Sequence, residues 1–132
     1  LVGNEGSDLL VGSDGENTMI GGAGADTLYS GRMNDTMTGN EECDFFCFKN
    51  YEGATNASEM RIGNDIITDF YEDRIWFWGY DFLNAGNIRN YLTVNGDGDV
   101  VFRFNEHSSY TIKGMSLAEY NRYIPFEGFS DI

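Results

Sequence analysis

The sequence predicts an all-β protein in two continuous parts. Residues 1–47 read as a stack of short strands and turns held by bound ions. Residues 48–132 read as an aromatic-rich β cap carrying a short helix near its end. Three observations carry this reading. A nine-residue repeat runs through the first part. Short runs of alternating apolar and polar residues follow it, which is strand period. The 20 aromatic residues are unevenly placed, and Tyr29 is the only one before Phe45. The front part therefore cannot build a wide apolar core, and the back part can.

The repeat units are 3–11, 12–20, 21–29, 30–38 and 39–47. Their first residues are Gly3, Gly12, Gly21, Ser30 and Gly39. Their sixth residues are Asp8, Asn17, Asp26, Asp35 and Asp44, always a carboxylate or an amide. Their eighth residues are Leu10, Met19, Leu28, Met37 and Phe46, always large and apolar. A flexible Gly/Asp linker does not keep an apolar residue in fixed phase, so a linker is rejected. Within a unit, glycine lets the backbone turn with positive φ and lets carbonyls converge. The short Asp adds a charged oxygen at the same turn. Six to eight carbonyl and carboxylate oxygens are what Ca²⁺ prefers, and there is no His/Cys cluster of the kind zinc or copper takes. The apolar eighth residue belongs to a short inward-facing strand. One turn alone leaves its charge unneutralised and its apolar residue uncovered, and stacking with ions between turns resolves both.

In the back part, Ile66–Phe70, Ile75–Phe77, Val100–Phe104 and Tyr110–Lys113 alternate as strands. Residues 95–99 form a Gly/Asp turn between two of them. Ser116 and Glu119 make a capping box that starts a helix, and Pro125 ends it. Asn95, Asp97, Asp99 and Glu106 have the spacing of an EF-hand loop. Val100 stands where that loop needs Gly, however, and the flanks read as strands, so a hairpin turn is expected. His107, the only histidine, reads as a surface turn residue. Cys43 and Cys47, four apart across a turn and a strand, are poorly placed for a disulfide.

The net charge of −14 excludes nucleic acid as a main partner and excludes an electrostatic membrane anchor. No apolar run approaches a membrane span, and no catalytic motif is visible. The expected protein is therefore not an enzyme in itself. Leu1 and Val2 fit positions eight and nine of a preceding unit, so the array is expected to continue upstream in a larger protein.

The unit GGAGADTLY (21–29) resembles the GGxGxDxUx nonapeptide of RTX (repeats-in-toxin, hemolysin-type) calcium-binding proteins, such as the C-terminal modules of serralysin-like proteases and alginate epimerases. The capping segments GNDIITDF (63–70) and EDRIWF (72–77) resemble that family too. So do GDGDVVFRF (96–104), YTIKG (110–114) and MSLAEYNRYIPF (115–126). The resemblance implies a parallel β-roll closed by an antiparallel cap, with two nonads per coil. It implies three to four Ca²⁺ ions, each held between turns two units apart. One would lie between Asp8, with the Asn4 and Gly6 carbonyls, and Asp26, with Gly21 and Ala23. A second would lie between Asp26, with Gly22 and Gly24, and Asp44, with Gly39 and Glu41. A third, on the other edge, would join Asn17, with Ser13 and Gly15, to Asp35, with Ser30 and Arg32. A fourth would pair Asp65 with Asp35 and the Gly31 and Met33 carbonyls. Met33 and Glu42 replace Gly at position four, which implies that the roll ends there.

The resemblance further implies a secreted, extracellular module that folds on Ca²⁺ after passing a type I secretion channel and supports an upstream domain. Trp76 and Trp78 alternate outward from Ile75 and Phe77, and Arg103 and Lys113 are expected outward on neighbouring strands. That group reads in two ways. It is either a platform for an acidic, alginate-like polysaccharide, with stacking and cationic contacts, or a surface packed against the upstream domain or a local helix.

Overall fold

The computed structural model describes residues 1–71, 73–84 and 86–122, and the backbone of 127–130. The expected helix stop at Pro125 and the capping residue Glu72 lie outside the described residues. Among the described residues, twelve strands form two sheets. In chain order they are β1 (Val2–Glu5), β2 (Leu9–Val11), β3 (Thr18–Ala23), β4 (Thr27–Tyr29), β5 (Thr36–Asn40), β6 (Phe45–Lys49), β7 (Gly63–Ile67), β8 (Arg74–Trp78), β9 (Leu92–Val94), β10 (Val100–Asn105), β11 (Ser108–Ile112) and β12 (Glu127–Ser130). One sheet has the order β1-β3-β5-β7-β11-β10-β9, the other β12-β8-β6-β4-β2. This is an all-β parallel roll. From β1 to β8 the chain crosses from one sheet to the other between successive strands, so odd and even strands stack separately there.

The register follows from the repeat. Leu10 pairs with Leu28, and Leu28 with Phe46. Met19 pairs with Met37 in the other sheet. Each coil is thus two nonads, and every eighth-position residue points into the same column. Met19, Leu28, Met37 and Phe46 are fully buried and Leu10 nearly so. Burying a Leu, Met or Phe side chain contributes about 1.5–3 kcal/mol each, so this column is the front half's apolar core.

The roll does not end at Met33 and Glu42, as the loss of Gly there implied. β7 pairs parallel with β5, placing Ile67 beside Met37, and β8 pairs parallel with β6, placing Ile75 beside Phe46. Asp65-x-Ile67 and Asp73-x-Ile75 keep the sixth-to-eighth spacing after the exact period is lost. An inserted segment, 50–62, carries a 3₁₀ turn at Ala57–Glu59 and interrupts the period in sequence without interrupting the stack. Parallel stacking therefore runs past residue 47, through β7 and on to β11.

The cap begins where direction reverses. β10 pairs antiparallel with β11 and with β9. The β9–β10 link is a tight turn. Asn95 N–H donates to the Asp99 carbonyl at 3.0 Å, Gly98 has φ of 87°, and the Asp97 and Asp99 N–H groups both donate to Asn95 Oδ1. The EF-hand spacing there is a hairpin. Helix α1 (Leu117–Arg122) starts with the expected reciprocal cap: Glu119 N–H donates to Ser116 Oγ at 3.2 Å and Ser116 N–H to Glu119 Oε1 at 3.3 Å. The aromatic rings pack between the sheets. Tyr110 stacks on Phe48 at 5.0 Å and on Phe102 at 4.9 Å, and Tyr120 closes over Phe102 at 5.3 Å.

The expected Trp/Arg/Lys platform does not assemble. Trp76 and Trp78 do alternate outward, half-buried, but on β8 of the five-stranded sheet. Arg103 lies on β10 and Lys113 directly follows β11, both in the seven-stranded sheet. Outward residues of opposed sheets point away from one another. Trp76 packs against Trp78 at 6.0 Å and edge-on to Phe45 at 6.5 Å instead, and Arg103 reaches the Asn105 carbonyl. Cys43 and Cys47 form no disulfide. Cys47 is covered on the outer face of β6, and burial pushes its thiol up to about 12. No helix among the described residues is long and apolar enough to cross a membrane.

Candidate metal centre

The sixth-position residues form two vertical ladders, one at each edge of the roll. On the first edge, Asp8 N–H donates to Asp26 Oδ1, Asp26 N–H to Asp44 Oδ1 and Asp44 N–H to Asp73 Oδ1, each at 2.8 Å. On the second, Asn17 N–H donates to Asp35 Oδ1 and Asp35 N–H to Asp65 Oδ1, again at 2.8 Å. One oxygen of Asp26, Asp44, Asp73, Asp35 and Asp65 thus binds the backbone of the preceding coil.

On the first edge the other oxygen is left over. Oδ2 of Asp8, Asp26 and Asp44 is buried without a hydrogen-bond partner. An unmatched buried carboxylate oxygen is costly and points to a missing cation or proton. Backbone oxygens converge beside these atoms. The position a Cβ would take on Gly3 lies 2.5 Å from Asp8 Oδ2 and 2.6 Å from the Gly21 carbonyl. A Cβ on Gly22 would collide with the Asn4 carbonyl oxygen, and one on Gly24 with that of Gly6. Asn4, Gly6, Gly22, Gly24, Asn40 and Glu42 all have φ between 72° and 106°. The turn is therefore conserved in shape even where Asn or Glu replaces Gly. Asn adopts this region readily; Glu does so at a cost.

The structure thus brings together Asp8, Asn4 and Gly6 with Asp26, Gly21 and Ala23. It brings Asp26 and Gly22 together with Asp44, Gly39 and Asn40, the Asn4–Gly22 and Gly22–Asn40 pairs setting the register. These sets supply hard oxygen donors at convergent positions, and they fit Ca²⁺. Electrostatics agree. Burial pushes Asp44 up to about 7, with the Asp73, Asp26 and Asp69 charges adding to it. The Asp44 carboxyl therefore holds a proton more readily than an ordinary carboxylate, at a place where a cation would serve.

The second edge differs. Asp35 is buried, which raises its carboxyl, but both its oxygens accept hydrogen bonds: Oδ2 from Gly31 N–H at 2.8 Å, Oδ1 from Asn17. Asn17 also turns its amide onto the Ser13 and Gly15 carbonyls. Ser30 is buried and Arg32 is exposed, its guanidinium donating to the Tyr51 carbonyl. Farther along, Asp65 Oδ2 and Ser30 Oγ are buried without a hydrogen bond, although the hydroxyl stands near enough to favour the Asp65 charge. Burial dominates there and pushes Asp65 up to about 9. Gly63, with φ of 82°, has its open face against the Met33 carbonyl.

Two carboxylates escaped the sequence reading. Asp73 extends the first ladder, and burial pushes it up to about 6. Asp69 accepts the Gly39 N–H at 3.0 Å and the Asn40 N–H at 2.7 Å, closing the fifth unit's turn. The signal for Asp73 was its spacing of two before Ile75. Asp69 follows no repeat position.

A family model for the RTX calcium-binding nonapeptide repeat matches residues 2–37 in four copies. Their presence indicates calcium binding. The match stops before the fifth unit, where Glu42 stands at the fourth position. Among solved structures, the chain is similar to the extracellular lipase LipA from Serratia marcescens, at 27% identity and a TM-score of 0.51. That likeness covers 86% of this chain and 18% of the lipase chain. It is also similar to a subunit of the mannuronan C5-epimerase of Azotobacter vinelandii, at 25% identity and a TM-score of 0.42, over 85% of this chain and 72% of that one. The sequence matches none of the curated proteins. Over 86% of its length the chain thus shares its fold with a part of that lipase.

Proposed function

We propose that this chain is the calcium-dependent folding module of a larger secreted protein, with a structural rather than catalytic role. The observation that carries the reading is the column of unmatched Oδ2 atoms on Asp8, Asp26 and Asp44, set beside convergent carbonyls. Residues 1–47 hold nine acids and one base, a charge of −8. Without cations, self-repulsion and buried carboxylates oppose the stack. Two Ca²⁺ ions on the first edge would halve that charge. Binding free energy then becomes folding free energy. Asp8, Asp26 and Asp44, with the carbonyls of Asn4, Gly6, Gly21, Gly22, Ala23, Gly24, Gly39 and Glu41, would hold the ions.

A chain loose at low Ca²⁺ and rolled at high Ca²⁺ suits passage through a type I secretion channel, followed by folding outside the cell. The extracellular lipase supports that location, and the upstream domain of the parent protein is the proposed structural partner. The test is far-UV circular dichroism during a Ca²⁺ titration from a chelated start, with Mg²⁺ as control. A cooperative, Ca²⁺-specific gain of β signal is expected. A chain already β-rich in excess chelator, and unchanged by Ca²⁺, would overturn the reading.

A further inference from the structure

The two edges are built from one nonapeptide yet satisfied by different means. On the first edge the second and fourth positions are left-handed and the sixth-position carboxylates keep an unmatched oxygen. On the second edge, Ser13, Gly15, Gly31 and Met33 all lie outside the left-handed region. At the centre of that edge stands Asn17. Its Nδ2 lies 2.8 Å from the Gly15 carbonyl, 3.1 Å from Asp35 Oδ1 and 3.4 Å from the Ser13 carbonyl. Ser13 Oγ donates to its Oδ1 at 3.4 Å. Three acceptors around the nitrogen and a donor at the oxygen fix which end of the amide is which. Ser13, Gly15 and Asp35 are the oxygen sources that the repeat would otherwise offer to an ion. Here they surround an N–H₂ group carrying two partly positive hydrogens.

We infer that the Asn17 side chain substitutes for a cation, so that the Ser13–Gly15–Asn17–Asp35 edge takes no Ca²⁺ and the residue at position 17 sets the ion count of the roll. The inference rests on the calcium reading of the first edge. It replaces the third ion that the resemblance implied. The chemistry is direct. An amide supplies donors and no net charge, so this edge closes without calcium. A carboxylate at the same place would aim an acceptor at three acceptors, and only a cation or a proton could reconcile them.

The experiment counts ions per chain by native mass spectrometry with Ca²⁺ alone, and follows far-UV circular dichroism from excess chelator to saturating Ca²⁺. The expected result is that Asn17→Asp binds one ion more than the wild type. Its β signal should rise more steeply with Ca²⁺ than that of the wild type. Asn17→Ala should keep the wild-type ion count and need more Ca²⁺ to fold, because the carbonyls lose their donor. Equal counts for Asn17→Asp and wild type would overturn the inference. Loss of one ion in Asn17→Ala would overturn it too, by showing that Asn17 is itself a ligand. A wild type that binds no ion at all would instead remove the calcium reading of the first edge.

Discussion

Gly24 and Gly15 occupy the same fourth position in units 21–29 and 12–20, so a repeat-level reading gives them one role. The structure gives them opposite tolerance for a side chain. Gly24 has φ of 106°, and a Cβ there would collide with the Gly6 carbonyl oxygen. Gly15 lies outside the left-handed region, and its nearest neighbour, Ser13 Oγ, is 3.9 Å from a built Cβ. Gly24→Ala carries about 1–2 kcal/mol for the backbone conformation alone. Displacement of a carbonyl that belongs to the ion cradle adds to it, so a loss of about 2 kcal/mol or more is expected. Gly15→Ala is compatible with its backbone. It should gain about 0.4–1 kcal/mol by restricting the unfolded chain. The gap is about 3 kcal/mol. With a urea slope of about 2 kcal/mol/M the two midpoints should differ by about 1.5 M. Equilibrium urea unfolding in saturating Ca²⁺ reads this directly. Coincident midpoints for the two variants would refute the claim that the edges have different turn geometry.

Asp26→Ala should weaken Ca²⁺ binding more than Asp8→Ala in calorimetric titration, since Asp26 faces a coil on either side and Asp8 only one; equal affinities would contradict the shared position. In chelator, acidification should stabilise the fold. Burial raises Asp44, Asp73 and Asp65 above the ordinary carboxylate value of 3.8, to about 7, 6 and 9. Their favourable contribution is full below pH ~3.8 and lost as pH rises through those values. The β signal in chelator, read by far-UV circular dichroism, should therefore fall from pH 5 to pH 8. Saturating Ca²⁺ should abolish or invert that slope, because ligation requires ionised carboxylates. Phe46→Ala, at a fully buried site in the shared column, should cost about 3–5 kcal/mol in the same urea assay. Phe45→Ala, one residue earlier and exposed, should cost far less.

The front half was legible because one constraint is repeated. An apolar residue every nine positions has a single solution in which all of them share a column, and Leu10, Leu28 and Phe46 follow it. The candidate ligands of the first edge came from the resemblance of the unit to the RTX nonapeptide. What stayed hidden depends on contacts between coils that no local pattern encodes. Asp69 caps the Gly39 and Asn40 N–H groups from outside the repeat. The continuation into β7 and β8 was obscured because the 50–62 insertion breaks the period while leaving the stacking intact. The Trp and basic residues were read as neighbours because alternation tells which face of a strand a residue takes and not which sheet the strand joins.

The same distinction explains the two edges. A nonapeptide specifies that oxygens converge at its turn. It does not specify what neutralises them. On the first edge the answer differs from the second by one atom type, since an Asp Oδ at the sixth position leaves an oxygen facing oxygens, whereas the Asn17 Nδ2 brings hydrogens to them. Position two and four glycines then matter less than the sixth residue. Glu42 adopts the left-handed turn beside Asp44, and Gly15 declines it beside Asn17. Backbone freedom allows the ion turn but does not impose it, since on the edge that holds Asn17 neither Gly15 nor Gly31 takes the left-handed conformation. A glycine-based count of calcium sites in such arrays should therefore fail wherever an amide replaces the carboxylate, and a count of sixth-position carboxylates stacked two units apart should succeed.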